Sequence, residues 1–288
     1  MIVLPLRTLL RAGFLFSVLA FTSLMNSQAS ANSATNLKAI DSPKVTIIID
    51  DVGNNESRGL RTVNLHGPVT LAILPERPFS AELANKAHAI GKEIILHAPM
   101  ENLRDAPLGG GALTSDMSSR RFKSQLLKNI ESIPHLMGIN NHMGSLLTTK
   151  HLQMNWTMKI LKDKNLMFVD SRTNPKSIAK EVAMLYNIPT VSRDIFLDHE
   201  RKTDYIAKQF EKCLALAVKN GNCLMIGHPY PETLAHLEKA LPLLVKRGFQ
   251  QQPLSRLIEQ ETLARNPPRQ PSIDNVTPRQ LEVSFKDL

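Results

Sequence analysis

Val45-Thr46-Ile47-Ile48-Ile49-Asp50-Asp51 is the stretch on which the fold turns: a short apolar run that ends abruptly in two adjacent carboxylates. The same punctuation recurs along the chain. Further apolar runs occupy Val69–Ile73, Glu93–Leu96, Met137–Ile139, Leu166–Val169, Thr190–Val191 and Cys223–Ile226. Helix-like segments lie between most of them. Phe122, Leu126, Leu127, Ile130 and Ile133 recur at helical spacing within 118–133. Ile206, Phe210, Leu214 and Ala217 do so within 203–219, and Leu237, Leu241 and Leu244 within 234–245. Strands alternating with helices predict βαβ units and a parallel sheet. About seven such units suit an α/β barrel better than an open sheet.

Outward from this core the chain changes character. Arg7 and Arg11 precede an apolar run over 12–21, and Ala29-Ser30-Ala31 supplies a small-residue cleavage pattern. That layout predicts a secretory signal over 1–31. The run is short for a membrane anchor, so the mature chain is expected to carry no transmembrane segment and to reside in the periplasm. Residues 32–43 read as a polar lead-in, 44–262 as the domain, and 263–288, with Pro267, Pro268, Pro271 and Pro278, as a flexible tail. Cys213 and Cys223 are the two cysteines. An oxidising compartment permits a bridge between them, but their context reads as two small buried residues, one on a helix and one on a strand. The net charge of +9 becomes +7 without Arg7 and Arg11, since 1–31 hold no acid. A mildly basic exported protein suits anionic envelope polymers. Nucleic acid is not expected as a partner, because aromatics are only 5% and no basic stripe interleaves with them.

In parallel α/β folds the site lies at the carboxyl ends of the strands, so the residues just after each apolar run are the informative ones. The first run leads to Asp50-Asp51, the third to His97-Ala98-Pro99-Met100-Glu101, and the fourth to Asn140-Asn141-His142-Met143-Gly144-Ser145. The fifth leads to Asp170-Ser171-Arg172-Thr173, the sixth to Arg193-Asp194 and then Asp198-His199, and the seventh to Gly227-His228-Pro229. A carboxylate after a strand is often only a turn or cap residue, and a lone histidine is often structural. Together, however, these residues converge on one rim. Carboxylate and imidazole are the donors that hold a hydrolytic divalent metal with a position left open for water. Asp50 and Asp51 would point to opposite faces of an extended strand, so either one is structural or the chain turns there and both reach the rim.

These segments, in this order, resemble the divergent polysaccharide deacetylase family over roughly residues 44–258. The resemblance implies a distorted seven-stranded (β/α) barrel related to the NodB-type carbohydrate esterases. It implies Asp50 as base, Asp51 as metal ligand and His228 as the catalytic histidine after the last strand. The family's second pair of ligands is two histidines four apart; here that spacing gives His97 and Glu101. The family's arginine-proline motif has no clear match, and Asn141-His142-Met143-Gly144 sits in about its place.

The metal set expected is therefore Asp51, His97 and His142 with Glu101, and zinc is the ion that suits N/O donors best. Asp170, Arg172 and Arg193 are expected behind that set, with an arginine fork holding a carboxylate. Asn141, Ser145 and Asp198 complete the rim as supporting or substrate-binding residues. The function expected is hydrolytic removal of acetyl groups from an envelope polysaccharide or peptidoglycan glycan. Because the paired histidines are broken by Glu101, a glycan-binding or regulatory protein on the same fold is the alternative.

Overall fold

The structure, a computed structural model, describes residues 42–265. The expected signal over 1–31, most of the lead-in and residues 266–288 lie outside the described residues. Nine strands form one parallel sheet: β1 (Lys44–Val52), β2 (Val69–Ile73), β3 (Ile94–Met100), β4 (Leu136–Met143), β5 (Met167–Asp170), β6 (Thr190–Ser192), β7 (Ile195–Phe196), β8 (Asn222–Gly227) and β9 (Gln250–Gln251). The helices are α1 (Glu56–Val63), α2 (Ser80–Ala89), α3 (Ser119–Glu131), α4 (His151–Asp163), α5 (Ala179–Leu185), α6 (Thr203–Asn220), α7 (Pro231–Ala240) and α8 (Leu254–Arg265).

The strand order is β6-β5-β4-β3-β2-β1-β8-β7, and β9 pairs with the start of β1. β6 and β7 therefore hold opposite edges of the sheet although only Arg193 and Asp194 separate them. The backbone N–H of Arg193 donates to Asp170 O at 3.0 Å on one side, and that of Asp194 to Leu224 O at 2.9 Å on the other. The run 190–196 thus acts as one strand that changes partners halfway, and it curls the sheet into the expected distorted seven-stranded (β/α) barrel.

Two apolar layers explain why the runs are continuous rather than alternating, since each strand is buried on both faces. Ile47, Ile49, Leu71, Ile73 and Leu96 pack outward against helix residues such as Leu83, Phe122, Phe210 and Leu237. Ile48, Ala72, Ile95, Val169, Val191, Leu224 and Ile226 fill the interior, where Leu254, Leu257 and Ile258 of α8 join them. The α8 helix is held at the amino ends of the strands by Glu93, whose carboxylate accepts from Leu254 N at 2.7 Å and Ser255 Oγ at 2.5 Å. The barrel is plugged there, and its open rim is at the other end.

Several boundaries differ from expectation. β1, β3 and β4 run on through Asp51, His97 and His142, so the polar residues belong to the strands themselves. The helix expected over 234–245 stops at Ala240 and breaks into 3₁₀ turns at Leu241–Leu243, where Pro242 cannot donate to the helical ladder. The last helix continues to Arg265, past the expected start of the tail at 263, and its guanidinium donates to Thr190 O at 3.0 Å. Cys213 and Cys223, expected as two separate buried thiols, form a disulfide that ties α6 to β8, with Cα atoms 5.7 Å apart.

Candidate active site

The local event that builds the site is a break in β1. Its pairing with β2 slips between Ile49 and Val52, and Asp51 takes a left-handed backbone, φ 56°. A non-glycine residue in that region is uncommon, and an irregularity of this kind re-aims side chains. It lets consecutive carboxylates both reach the rim, which a regular strand forbids.

Three side chains meet there. Asp51 Oδ1 lies 2.9 Å from His142 Nδ1 and 3.2 Å from His97 Nε2, and the two imidazole nitrogens are 3.1 Å apart. His97 and His142 come from adjacent strands, where the register pairs His97 with Asn140 and Pro99 with His142. Donors bound to one zinc ion at ~2.0–2.2 Å stand roughly 3–3.5 Å from each other. Asp51 Oδ1 is buried and accepts no well-formed hydrogen bond. A shielded carboxylate oxygen facing two imidazole nitrogens is an arrangement that a cation completes, so these residues fit a divalent metal. Burial would raise the Asp51 carboxyl, but the imidazoles of His142 and His97 outweigh it and hold it well below the usual carboxylate range.

Glu101, expected as a fourth ligand, is not in this group. Its carboxylate accepts from the backbone N–H of Ser115 at 2.7 Å. The reason is geometric: β3 stays extended through Met100, and at ~3.3 Å per residue a spacing of four carries Glu101 about 13 Å from His97.

Asp50 is 2% exposed beside this cluster. Its Oδ2 lies 3.7 Å from His97 Nε2, and its Oδ1 accepts from Asn140 Nδ2 at 2.8 Å. Burial raises its pKa, against the pull of His97, His228 and Asn140. On the other side His228 presents Nε2 3.8 Å from Asp51 Oδ2. Its Nδ1 is 2.9 Å from Asp198 Oδ1, and Asp198 Oδ2 accepts from the His228 backbone and from Thr233 Oγ1, both at 2.7 Å. Asp198 is thus the residue that orients His228. Burial pushes the His228 imidazole down, but Asp198, with Asp51 and Asp50 behind it, raises its pKa to about 9.

The remaining expected residues support the rim. Asn141 projects to the opposite face of β4 from Asn140 and His142, as strand alternation requires. Its amide donates to Met143 O at 2.7 Å and accepts from Ser171 N at 2.9 Å. Ser145 Oγ accepts from Leu103 N at 3.0 Å. Asp170 closes its own turn, accepting from Arg172 N and Ser177 Oγ, each at 2.8 Å. The expected arginine–carboxylate fork does not form. Arg193 instead donates to two backbone carbonyls, Ser171 O at 2.7 Å and Arg172 O at 3.0 Å. Arg172 is exposed and left-handed at φ 46°. His199 is exposed and outside the cluster.

Two features lie beyond the sequence reading. Asn140 is fully buried between Asp50 and His97. A cavity of about 190 Å³ opens beside Asp51, with Asn54, Asn55, Arg58, Pro229 and Tyr230 among its lining. The Tyr230 ring lies 5.2 Å from that of His228 and carries the Arg201 guanidinium at 4.0 Å on its face. An aromatic two residues after His228 is the one signal in the sequence for this wall.

A model of the divergent polysaccharide deacetylase family matches residues 47–258, which takes in every strand in part or whole and all of the residues above. The chain belongs to that family. YibQ of Escherichia coli (strain K12), an uncharacterized protein, is 34% identical over 207 residues, covering 70% of this chain and 65% of its own length. An uncharacterized protein of Haemophilus influenzae is 31% identical over 198 residues, covering 69% of this chain and 71% of its own. The chain therefore spans about two thirds of each relative. Among solved structures, the uncharacterized protein ATU2773 of Agrobacterium tumefaciens superposes with a TM-score of 0.72 at 19% identity, over 79% of this chain and 94% of that one. At that identity the likeness establishes the shared fold.

Proposed function

We propose that this protein is a metal-dependent hydrolase that removes acetyl groups from an envelope glycan outside the cytoplasm. The observation that carries the reading is the order of groups along the rim: a buried carboxylate, a three-donor metal site and an oriented imidazole stand side by side. Asp51, His97 and His142 would hold the ion. When bound, a divalent cation polarises the substrate carbonyl and lowers the pKa of the attacking water.

The chain's own residues divide the remaining work. Asp50, raised by burial, is suited to take the proton of the attacking water. His228, raised to about 9, carries a proton at neutral pH and gives it to the departing amine or alkoxide. Asp198 keeps Nδ1 of His228 engaged, so that Nε2 is the atom that faces the substrate. Tyr230 and Arg58 wall the adjoining cavity, and their polar groups, with those of Asn54 and Asn55, suit sugar hydroxyls. The disulfide agrees with an oxidising compartment, and no described helix is long and apolar enough to cross a membrane. Family membership supports the same reaction class.

The test is acetate release from acetylated glucosamine oligomers and from peptidoglycan. We expect release by zinc-loaded protein, with about one zinc per chain by elemental analysis, and none after chelation. Stoichiometric zinc without release on any such substrate would turn the reading to glycan binding.

A further inference from the structure

Asn140 lies at the middle of the site and touches no position a substrate could reach. It is fully buried on β4. Its Nδ2 donates to Asp50 Oδ1 at 2.8 Å and to Ser171 Oγ at 3.2 Å, while its Oδ1 lies 2.7 Å from His97 Nδ1. These contacts determine one another. The edge of the amide that meets Asp50 is its NH₂, which donates to the carboxylate. The opposite edge is then the carbonyl, and a carbonyl only accepts. His97 must therefore present N–H at Nδ1. In the neutral form, the one that binds a metal, this is the ring's single proton, and Nε2 is left with a free lone pair. Nε2 is the atom that stands 3.2 Å from Asp51 Oδ1 and 3.1 Å from His142 Nδ1.

We propose that Asn140 is a positioning residue shared by the two sides of the centre: one buried amide clamps Asp50 and, through its other edge, selects the His97 tautomer whose Nε2 can bind a metal. The proposal rests on the hydrolase reading for the role of Asp50, but its metal arm stands apart from it. The two edges of the amide are chemically separable. Aspartate at 140 keeps an acceptor for His97 but loses the donor to Asp50 and faces it with like charge. Alanine at 140 removes both edges.

Three measurements distinguish them in the full domain: the His97 tautomer in metal-free protein by long-range ¹H–¹⁵N spectra, zinc affinity by competition with a chromophoric chelator, and acetate release at saturating zinc. In the wild type His97 should be the Nδ1–H tautomer. Asn140→Asp should keep that tautomer and bind zinc no more weakly than wild type, while kcat falls by about 10²-fold, the lower end of one acid–base contribution. Asn140→Ala should lose the tautomer preference and bind zinc roughly 10–100-fold more weakly, as loss of an outer-shell partner does. An Nε2–H tautomer in the wild type overturns the proposal, as does wild-type zinc affinity in Asn140→Ala. If Asn140→Ala fails to fold, the wild-type tautomer and the split between affinity and kcat in Asn140→Asp decide alone. If the wild type releases no acetate on any glycan, the hydrolase reading falls, while the tautomer and zinc arms still decide the role of Asn140.

Discussion

At the scale of the residue, the site separates two aspartates that the sequence places side by side. Asp51 faces two imidazole nitrogens at 2.9 and 3.2 Å, whereas Asp50 sits behind them on Asn140. Asp51→Asn should therefore lose zinc, with turnover lost as a consequence. Asp50→Asn should keep zinc and lose turnover. Chelator competition and acetate release on the two variants check this, and equal zinc loss in both would refute the division. His228→Ala should lower kcat by about 10²–10⁴-fold, the usual worth of one acid–base group, and Asp198→Asn should follow it in the same direction because it frees the ring. Asp50, Asp51, His97, His142 and His228 are all legible as polar residues at the ends of apolar runs. Asn140 is not, because a neutral amide beside a histidine carries no charge, metal-ligand or nucleophile signature; only the contacts reveal it. Glu101 misleads for the opposite reason. Its spacing from His97 suggests a ligand pair, but the extended backbone between them sends it to Ser115.

At the scale of the element, short strands and their joints carry the differences between reading and structure. Thr190–Val191 has the look of one minor strand, yet the backbone from Thr190 to Phe196 pairs with β5 and then with β8. Periodicity reports burial, not partners, so barrel closure at Arg193 and Asp194 lies beyond it. The α6–β8 joint holds the disulfide, with both sulfurs in the core. Cross-linking a loop this short contributes about 2–3 kcal/mol on the chain-entropy account. The double variant Cys213→Ala/Cys223→Ala should then unfold with a denaturation free energy lower by that amount, at unchanged zinc affinity. At the opposite rim, α1 and the turn before α7 bring Arg58 and Tyr230 to one cavity beside Asp51. Arg58→Gln and Tyr230→Ala should each raise KM for an acetylated oligosaccharide several-fold, by about 1 kcal/mol for the loss of one aromatic or charged contact, and leave kcat near wild type. A fall in kcat with unchanged KM would place the substrate elsewhere.

At the scale of the whole molecule, the barrel separates stability from chemistry along its axis. The rim holds a left-handed aspartate and a buried, donor-poor carboxylate oxygen, features that cost stability and persist where the surroundings enforce them. The amino ends of the strands are closed by α8, whose first turn is bound by Glu93 and whose Leu254, Leu257 and Ile258 complete the interior. The alternation of strand and helix makes the barrel legible from the apolar runs, but a plug supplied by the last helix leaves no mark on that rhythm. The separation has a measurable consequence. A ligand that binds only the native state stabilises it by about 2.7 kcal/mol at one hundred times its Kd. For a domain of this size that raises the melting temperature by roughly 5–10 °C, at about 2–4 °C per kcal/mol. Zinc should produce this shift in the wild type and none in Asp51→Asn. Glu93→Gln should do the reverse. It weakens the charged acceptor that caps α8, at a cost of about 1–3 kcal/mol, so the metal-free protein melts lower while the zinc-induced shift is retained. Melting curves of the three proteins with and without zinc test both halves. A zinc shift that disappears in Glu93→Gln would mean that the plug and the rim are coupled, and the division along the axis would be wrong.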